Sequence, residues 1–224
     1  MLALKLGLSL VNKQSQGTWS PSDEASLKAW YQNAVGITLN GSDVSNWADS
    51  SSNSFDMGQG IATNQPAYSA GTLTFNSADT NYLQSSSNIE LPGAFTIGIR
   101  LNPSNFSNVV IGDNDGGGEF IKIISSSRIR MKINNSAADF DLDSGTFGDD
   151  YLVFTRDGSD NMTLYRNGVA QADTENKSGQ AEIDAIGVRQ PSTNAYDGTI
   201  KEIQIYTSSS AALTANVNSR LSGL

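Results

Sequence analysis

The stretch "GDNDGGGEF" places three acidic residues, Asp113, Asp115 and Glu119, in one glycine-rich loop. Carboxylate oxygens on a flexible loop are what calcium takes, so the trio is a candidate calcium site, with no cofactor required. The plainer reading is a tight hairpin turn whose acids face water, since the ligand spacing of an EF-hand loop is missing. Asp173, Asp184 or Asp197 could complete such a site from neighbouring loops. A second acidic set, Glu182 and Asp184 in "AEIDAIG", stands two residues apart and so shares one face of a strand. The chain has no histidine and no cysteine, which removes the commonest general base, thiolate catalysis, disulfides and Cys/His zinc sites. Carboxylates, lysine, tyrosine, serine and threonine are what remains for chemistry. With 14 basic against 23 acidic residues, a net charge of −9, the phosphate-neutralising surface that nucleic-acid binding needs is lacking.

The elements that must position these residues read as strands. Hydrophobic residues make up 38% of the 224, and abundant Ser, Asn, Thr, Asp and Gly separate short alternating runs, the pattern of an all-β protein with polar turns. From Thr72 these runs are "TLTF", "NYLQ", "FTIGIRL", "VVIG", "FIKII", "RIRMKI", "DFDLD", "YLVFTRD", "MTLYRN", "VAQAD", "AEIDAIGVR" and "GTIKEIQIYT". That spacing predicts an antiparallel sandwich or barrel. One short helix is expected near residues 20–31, where Ser20-Pro21 precedes Leu27, Trp30 and Tyr31, and a second over "SAALTANVNSRLSGL". Residues 36–66 read mainly as loop, anchored by Val44, Trp47 and Phe55. Asn167-Gly168 between two alternating runs predicts a tight hairpin, because both residues tolerate positive φ. Arg128, Arg130 and Lys132 alternate on one segment and Asp139, Asp141 and Asp143 on the next, which predicts a cross-strand charge ladder rather than a basic row for an acidic polymer.

The N-terminal "MLALKLGLSLV" puts Leu2, Leu4, Leu6, Leu8 and Leu10 on every second residue. This is strand periodicity, not the continuous apolar run of a secretory signal, and no stretch reaches the roughly 18 apolar residues of a membrane span. The organisation expected is an N-terminal docking or assembly strand over 1–12 and one β-sandwich domain over 13–224.

The order of motifs from Leu27 to Leu213 resembles the concanavalin A-like lectin/glucanase superfamily, in particular laminin-G-like domains of phage and bacterial surface proteins. "LKAW" with "VSNWADSSSNSFDM" resembles the opening of that family, "PAYSAGTLTFNSADTNYLQ" its proline-to-tyrosine segment, and "AFTIGIRLNP" the strand leading to a proline turn. "DDYLVFTRDGSDNMTLYRNGVAQA" resembles its paired strands, and "IDAIGVRQPSTNAYDGTIKEIQIYTSSSAAL" its closing strands. The resemblance implies an antiparallel jelly-roll β-sandwich with one or two short helices. It also implies that Glu119, just before a Phe-Ile strand, stands where an acid often supports calcium. The glycosidases of the superfamily need two carboxylates flanking the bond, and this chain has the apolar Ile186 where they carry a second glutamate.

Three functions follow as expectations. The first is a non-catalytic virion structural protein on the particle surface, a bacteriophage head-decoration or tail-associated protein, whose partners are other capsid or tail proteins or further copies of itself as a homo-oligomer through the leucine strand. The second is an extracellular or cell-surface adhesin that binds a glycan with Trp47 and Tyr196, calcium assisting. The third and most remote is a polysaccharide-degrading enzyme. Neither nucleic acid nor membrane is an expected partner.

Overall fold

The computed structural model describes residues 19–116 and 120–224. The leucine strand and Glu119 therefore lie outside the described residues. Along the chain the strands are β1 (Leu27–Tyr31), β2 (Ile37–Asn40), β3 (Asp43–Trp47), β4 (Met57–Gly58), β5 (Ala67–Ser69), β6 (Thr72–Phe75), β7 (Leu83–Leu91), β8 (Phe95–Pro103) and β9 (Asn108–Gly112). They continue with β10 (Phe120–Ser125), β11 (Arg128–Ile133), β12 (Ser136–Asp141), β13 (Asp150–Arg156), β14 (Asn161–Arg166), β15 (Val169–Asn176), β16 (Ala181–Ile186) and β17 (Gly198–Tyr206). The α-helix among the described residues is α1 (Ala211–Ser222).

The strands build a nearly closed antiparallel sandwich. One layer runs β15-β14-β13-β8-β17, with β6 and β1 side by side along the far edge of β17. The other runs β4-β7-β16-β9-β10-β11-β12, with β3 and β2 beyond β4. Strand β5 pairs with both β6 and β3 and joins the layers on one side. On the other side the edges of β12 and β15 are stitched by side chains: Asp173 accepts from the Asp141 amide at 2.7 Å, and Asp143 from the Ala172 amide at 2.9 Å.

Alternation explains why the layers close. Phe95, Ile97, Ile99 and Leu101 of β8, Leu152 and Phe154 of β13, and Ile121 and Ile123 of β10 all face one core, where Phe140 meets Phe154 edge-on at 5.9 Å. The layer containing β13 is also covered on its outer face. Leu213, Val217 and Leu221 of α1, spaced four apart, pack on Val153 and Tyr206. Ser210 caps the helix, its hydroxyl accepting from the Leu213 amide at 3.1 Å. Gly98 lets the helix come close, since a Cβ there would lie 2.5 Å from Cγ1 of Val217. Gly98→Ala is therefore expected to cost about 1–3 kcal/mol, read as a lowered urea midpoint at unchanged m-value; no change would mean the helix gives way freely.

Most expected elements are in place, and two expectations are corrected. The Ser20 region is a short 3₁₀ turn at Pro21–Asp23, and the residues after it form β1, not a helix. A bulge after Leu27 leaves Ala29, Trp30 and Tyr31 consecutively buried, so their spacing imitates a helical face. Residues 36–66 hold β2, β3 and β4, where only loop was expected, because β2 and much of β3 are too exposed to show an apolar face. Two rungs of the expected charge ladder are present, while Lys132 faces Ala137 and Asp143 lies beyond β12. Arg128 faces Asp141 and Arg130 faces Asp139, each a two-bond pair at 2.6–2.8 Å. Asn167 and Gly168 take φ of 51° and 80°, the two positive values the hairpin requires.

Candidate functional site

At one end of the β7–β16–β9 layer three segments meet. Strand β9 ends at Gly112, and Asp113 opens the turn that follows. Its Oδ1 accepts from the amides of Asp115 at 3.0 Å and Gly116 at 2.6 Å, so the carboxylate builds the turn. Asn114, next in line, reaches in both directions. Its amide donates to Asp184 Oδ1 at 2.6 Å, its side chain donates to Gln84 Oε1 at 2.9 Å, and its Oδ1 accepts from the Ser192 amide at 2.9 Å. Gln84 on β7 donates to Asp184 Oδ2 at 2.7 Å and to Asp115 Oδ1 at 3.3 Å.

The loop between β16 and β17 forms the third wall. It folds back over β9 because Gly112 leaves room for it: a Cβ there would lie 2.1 Å from the Val188 carbonyl oxygen. Val109 donates to the Asn194 carbonyl and Gln190 to the Asp113 carbonyl, which fix the loop with a cis Gln190-Pro191 bond at its tip. Ser192 and Asn194 are thereby displayed beside the turn, and Lys122 of β10 donates to Asn194 Oδ1 at 3.3 Å. The result is a rim of amides, carboxylates and one hydroxyl, with Asp115 exposed and Asn114 half-buried.

Asp184, like Asp113, has no exposed surface. Burial pushes its carboxyl above the usual range and the nearby charges of Asp113 and Asp115 push the same way, against the bonds from Asn114 and Gln84. The folded chain thus keeps this proton to higher pH than the unfolded chain, whose aspartates titrate near about 3.9. The stability contributed by the group is full below that value and is lost as pH rises through the folded one. Asp184→Asn is expected to gain stability relative to the wild type as pH rises from about 4 to 7, followed by urea unfolding; a pH-independent difference would contradict the assignment.

The structure brings Asp113, Asp115 and Asp184 of the expected acids together. Asp173 is instead committed to the β12–β15 seam, and Asp197 accepts from Ser77 at 3.4 Å. Among the described residues no group of three acids converges to hold a metal; Asp113 Oδ1 takes two backbone amides and Asp115 Oδ1 takes Gln84, while Asp113 Oδ2 is buried without a partner. The two aromatic candidates are also placed elsewhere. Trp47 and Tyr196 are fully buried, Trp47 donating to the Gln32 carbonyl at 3.2 Å and Tyr196 packed edge-on to Phe75 at 5.8 Å, so neither offers a ring face to a ligand. Sequence reasoning missed Gln84, Asn114 and Ser192, whose roles depend on the meeting of three distant segments.

Nor does β16 carry a catalytic pair. The bulge between Ile183 and Ala185 takes Asp184 out of step with Glu182. Glu182 accepts from Gln180 at 2.7 Å and faces Glu90 on β7, while Ile186 belongs to the core.

The family profile described as the concanavalin A-like lectin/glucanases superfamily matches residues 75–216, from β6 into α1. The chain belongs to this superfamily. Its jelly-roll sandwich is shared with solved structures at low identity. The crystal structure of HCR/D-Sa-GBL1/C superposes with a TM-score of 0.59 at 17% identity, covering 91% of this chain and 53% of that one. The binding domain of Paraclostridial Mosquitocidal Protein 1 gives 0.58 at 14%, covering 91% and 53%. The binding domain of Botulinum Neurotoxin DC in complex with SialylT gives 0.55 at 16%, covering 91% and 52%. This superfamily chain thus spans about half the length of each, and the likeness is one of fold. No curated protein matches it.

Proposed function

We propose that this chain is a non-catalytic carbohydrate-binding domain whose glycan sits on the Gln84–Asn114–Asp115–Ser192 rim. The observation that carries the reading is the rim itself: side-chain amides, carboxylates and a hydroxyl from three segments converge, with both oxygens of Asp184 held by Asn114 and Gln84. Hydroxyl-rich ligands are recognised by a few convergent polar groups of this kind. Among the superposed structures, two are named as binding domains and one is in complex with SialylT, which supports the reading by analogy of fold. The reading calls on no cation, since Asp113 Oδ1 is committed to the amides of its own turn.

A glycan array probed with the purified chain tests this, with calcium and with chelator. The expected outcome is a defined set of bound glycans, the same in both buffers and recovered uncleaved. Failure to bind any glycan would remove the proposal, and loss on chelation would assign the missing interaction to calcium at Asp113. Release of reducing sugar, lost in Glu182→Gln, would instead make the chain an enzyme. The virion reading rests on the leucine strand outside the described residues and on the sequence resemblance, and glycan binding is compatible with it. Its location at a virion or cell surface belongs to the same proposal.

A further inference from the structure

On the opposite layer lies a groove that the rim does not use. It runs between α1 and the outer face of β13 and β14, with a volume of about 460 Å³, within the size range of small-molecule sites. Tyr151 and Tyr165, both half-buried, form one wall, and Ala211, Thr214, Ala215 and Asn218 on one stripe of α1 form the other. Gly168 closes the end, and its lack of a side chain keeps the space beside the Tyr151 hydroxyl open. None of the lining residues is charged, on a chain that carries 37 charged residues (14 basic and 23 acidic).

Asn218 marks what is missing from this groove. It is 9% exposed, and its side-chain nitrogen donates to the Thr214 carbonyl at 2.9 Å, which leaves Oδ1 as the acceptor. That oxygen is buried and has no donor. Buried acceptors are almost always paired, so an unpaired one on a residue that lines a cavity calls for a ligand that brings a donor. A ligand matched to these walls is uncharged, has an apolar face to lie on a phenol ring, and carries hydroxyls at its edge.

We propose that this groove is a second binding site, for an uncharged pyranose unit whose ring lies against Tyr151 and Tyr165 and whose hydroxyl donates to Asn218 Oδ1. The site is independent of the rim, and with no cation among its lining residues it favours neutral over acidic sugars. With both sites occupied, the domain engages one polysaccharide at two points or two chains at once, which raises avidity without new contacts.

The test is an NMR titration of the full chain with methyl β-glucoside and methyl β-galactoside, with glucuronic acid as the charged comparator. Shifts of the Asn218 side-chain amide and the Tyr151 and Tyr165 rings with a neutral sugar, and none with glucuronic acid, are expected. Asn218→Leu removes the acceptor, and Ala215→Phe fills the groove from an exposed position on α1 that leaves the helix packing intact. Each is expected to weaken the groove response at least about tenfold, while shifts at Asn114 and Ser192 with a rim-binding glycan stay as in the wild type. The proposal is overturned if neither sugar perturbs the groove, so that water alone satisfies Asn218, or if glucuronic acid binds equally well. It is also overturned if Ala215→Phe leaves the response unchanged. Absence of any rim response with the groove response intact would overturn the rim reading and leave this one standing.

Discussion

Arg156→Met is expected to destabilise the domain by about 3–5 kcal/mol, the largest single effect among the side chains described. Arg156 has no exposed surface, yet its charge is answered mainly by backbone oxygens. Its guanidinium donates to the carbonyls of Leu91, Gly93, Lys177 and Gly179, at 2.7–3.3 Å apart from one shorter bond to Gly93, and its cation stands over the Phe95 ring at 4.9 Å. The nearest acid, Asp160, is 3.9 Å away. One side chain thus ties the β7–β8 turn to the loop before β16. Methionine fills comparable space but leaves those carbonyls without donors in a site where each unpaired group is costly. Lysine retains the charge and cannot reproduce the fork, so Arg156→Lys should recover less than half of the loss. Urea unfolding measures both variants, and a loss below about 1 kcal/mol for Arg156→Met would show that water reaches these carbonyls.

Gly112→Ala is the second large effect and the one that links fold to site. The new Cβ would meet the Val188 carbonyl oxygen at 2.1 Å, the Val188 carbonyl carbon at 3.0 Å and the Arg189 Cα at 3.1 Å. All three are backbone atoms, so no rotamer change can relieve the contact. The loop over residues 187–197 has to lift, which withdraws Ser192 from Asn114 and Gln190 from Asp113. The expected result is a cost of about 2–4 kcal/mol together with at least tenfold weaker glycan binding, at an unchanged far-UV spectrum. Gly148→Ala, where a Cβ would meet nothing within 4 Å, is the matched control and is expected to be neutral. Unchanged binding in Gly112→Ala would separate the loop from the glycan site.

How much of this is readable from the chain follows from what alternation reports. The paired strands of residues 72–206 were legible because half-buried antiparallel strands alternate, and "RIRMKI" with "DFDLD" even gave the partners of a ladder. Strand β1 was not, because it is covered on both faces by the core and by the Trp30–Glu202–Arg220 cluster, where Trp30 and Arg220 both bond Glu202. Burial on both faces erases alternation and leaves a spacing that a helix shares. The same effect in "DYLVFTR" carried a signal: an apolar run on both faces of a strand announces a cover, which here is α1. The groove could have been suspected from that run.

The rim was legible only in part. The aspartates of "GDNDGGGEF" were conspicuous, but Asp113 is a buried turn former, and the residues that link the three segments are Asn114, Gln84 and Ser192, three of the commonest kinds of surface residue. Aromatics at turns misled in the other direction. Trp47 and Tyr196 sit beside polar loops in the chain, and the fold uses them to close the core beneath those loops.

On the proposed reading the rim holds a glycan without cutting it. Isothermal titration of the wild type and of Asn114→Ala with the glycan best bound on the array, followed by analysis of the recovered sugar, tests it most directly. The expected result is a measurable affinity in the wild type, at least about tenfold lower in Asn114→Ala, with the sugar intact in both. Equal affinity in the two proteins, or a cleaved sugar recovered from the wild type, would contradict it.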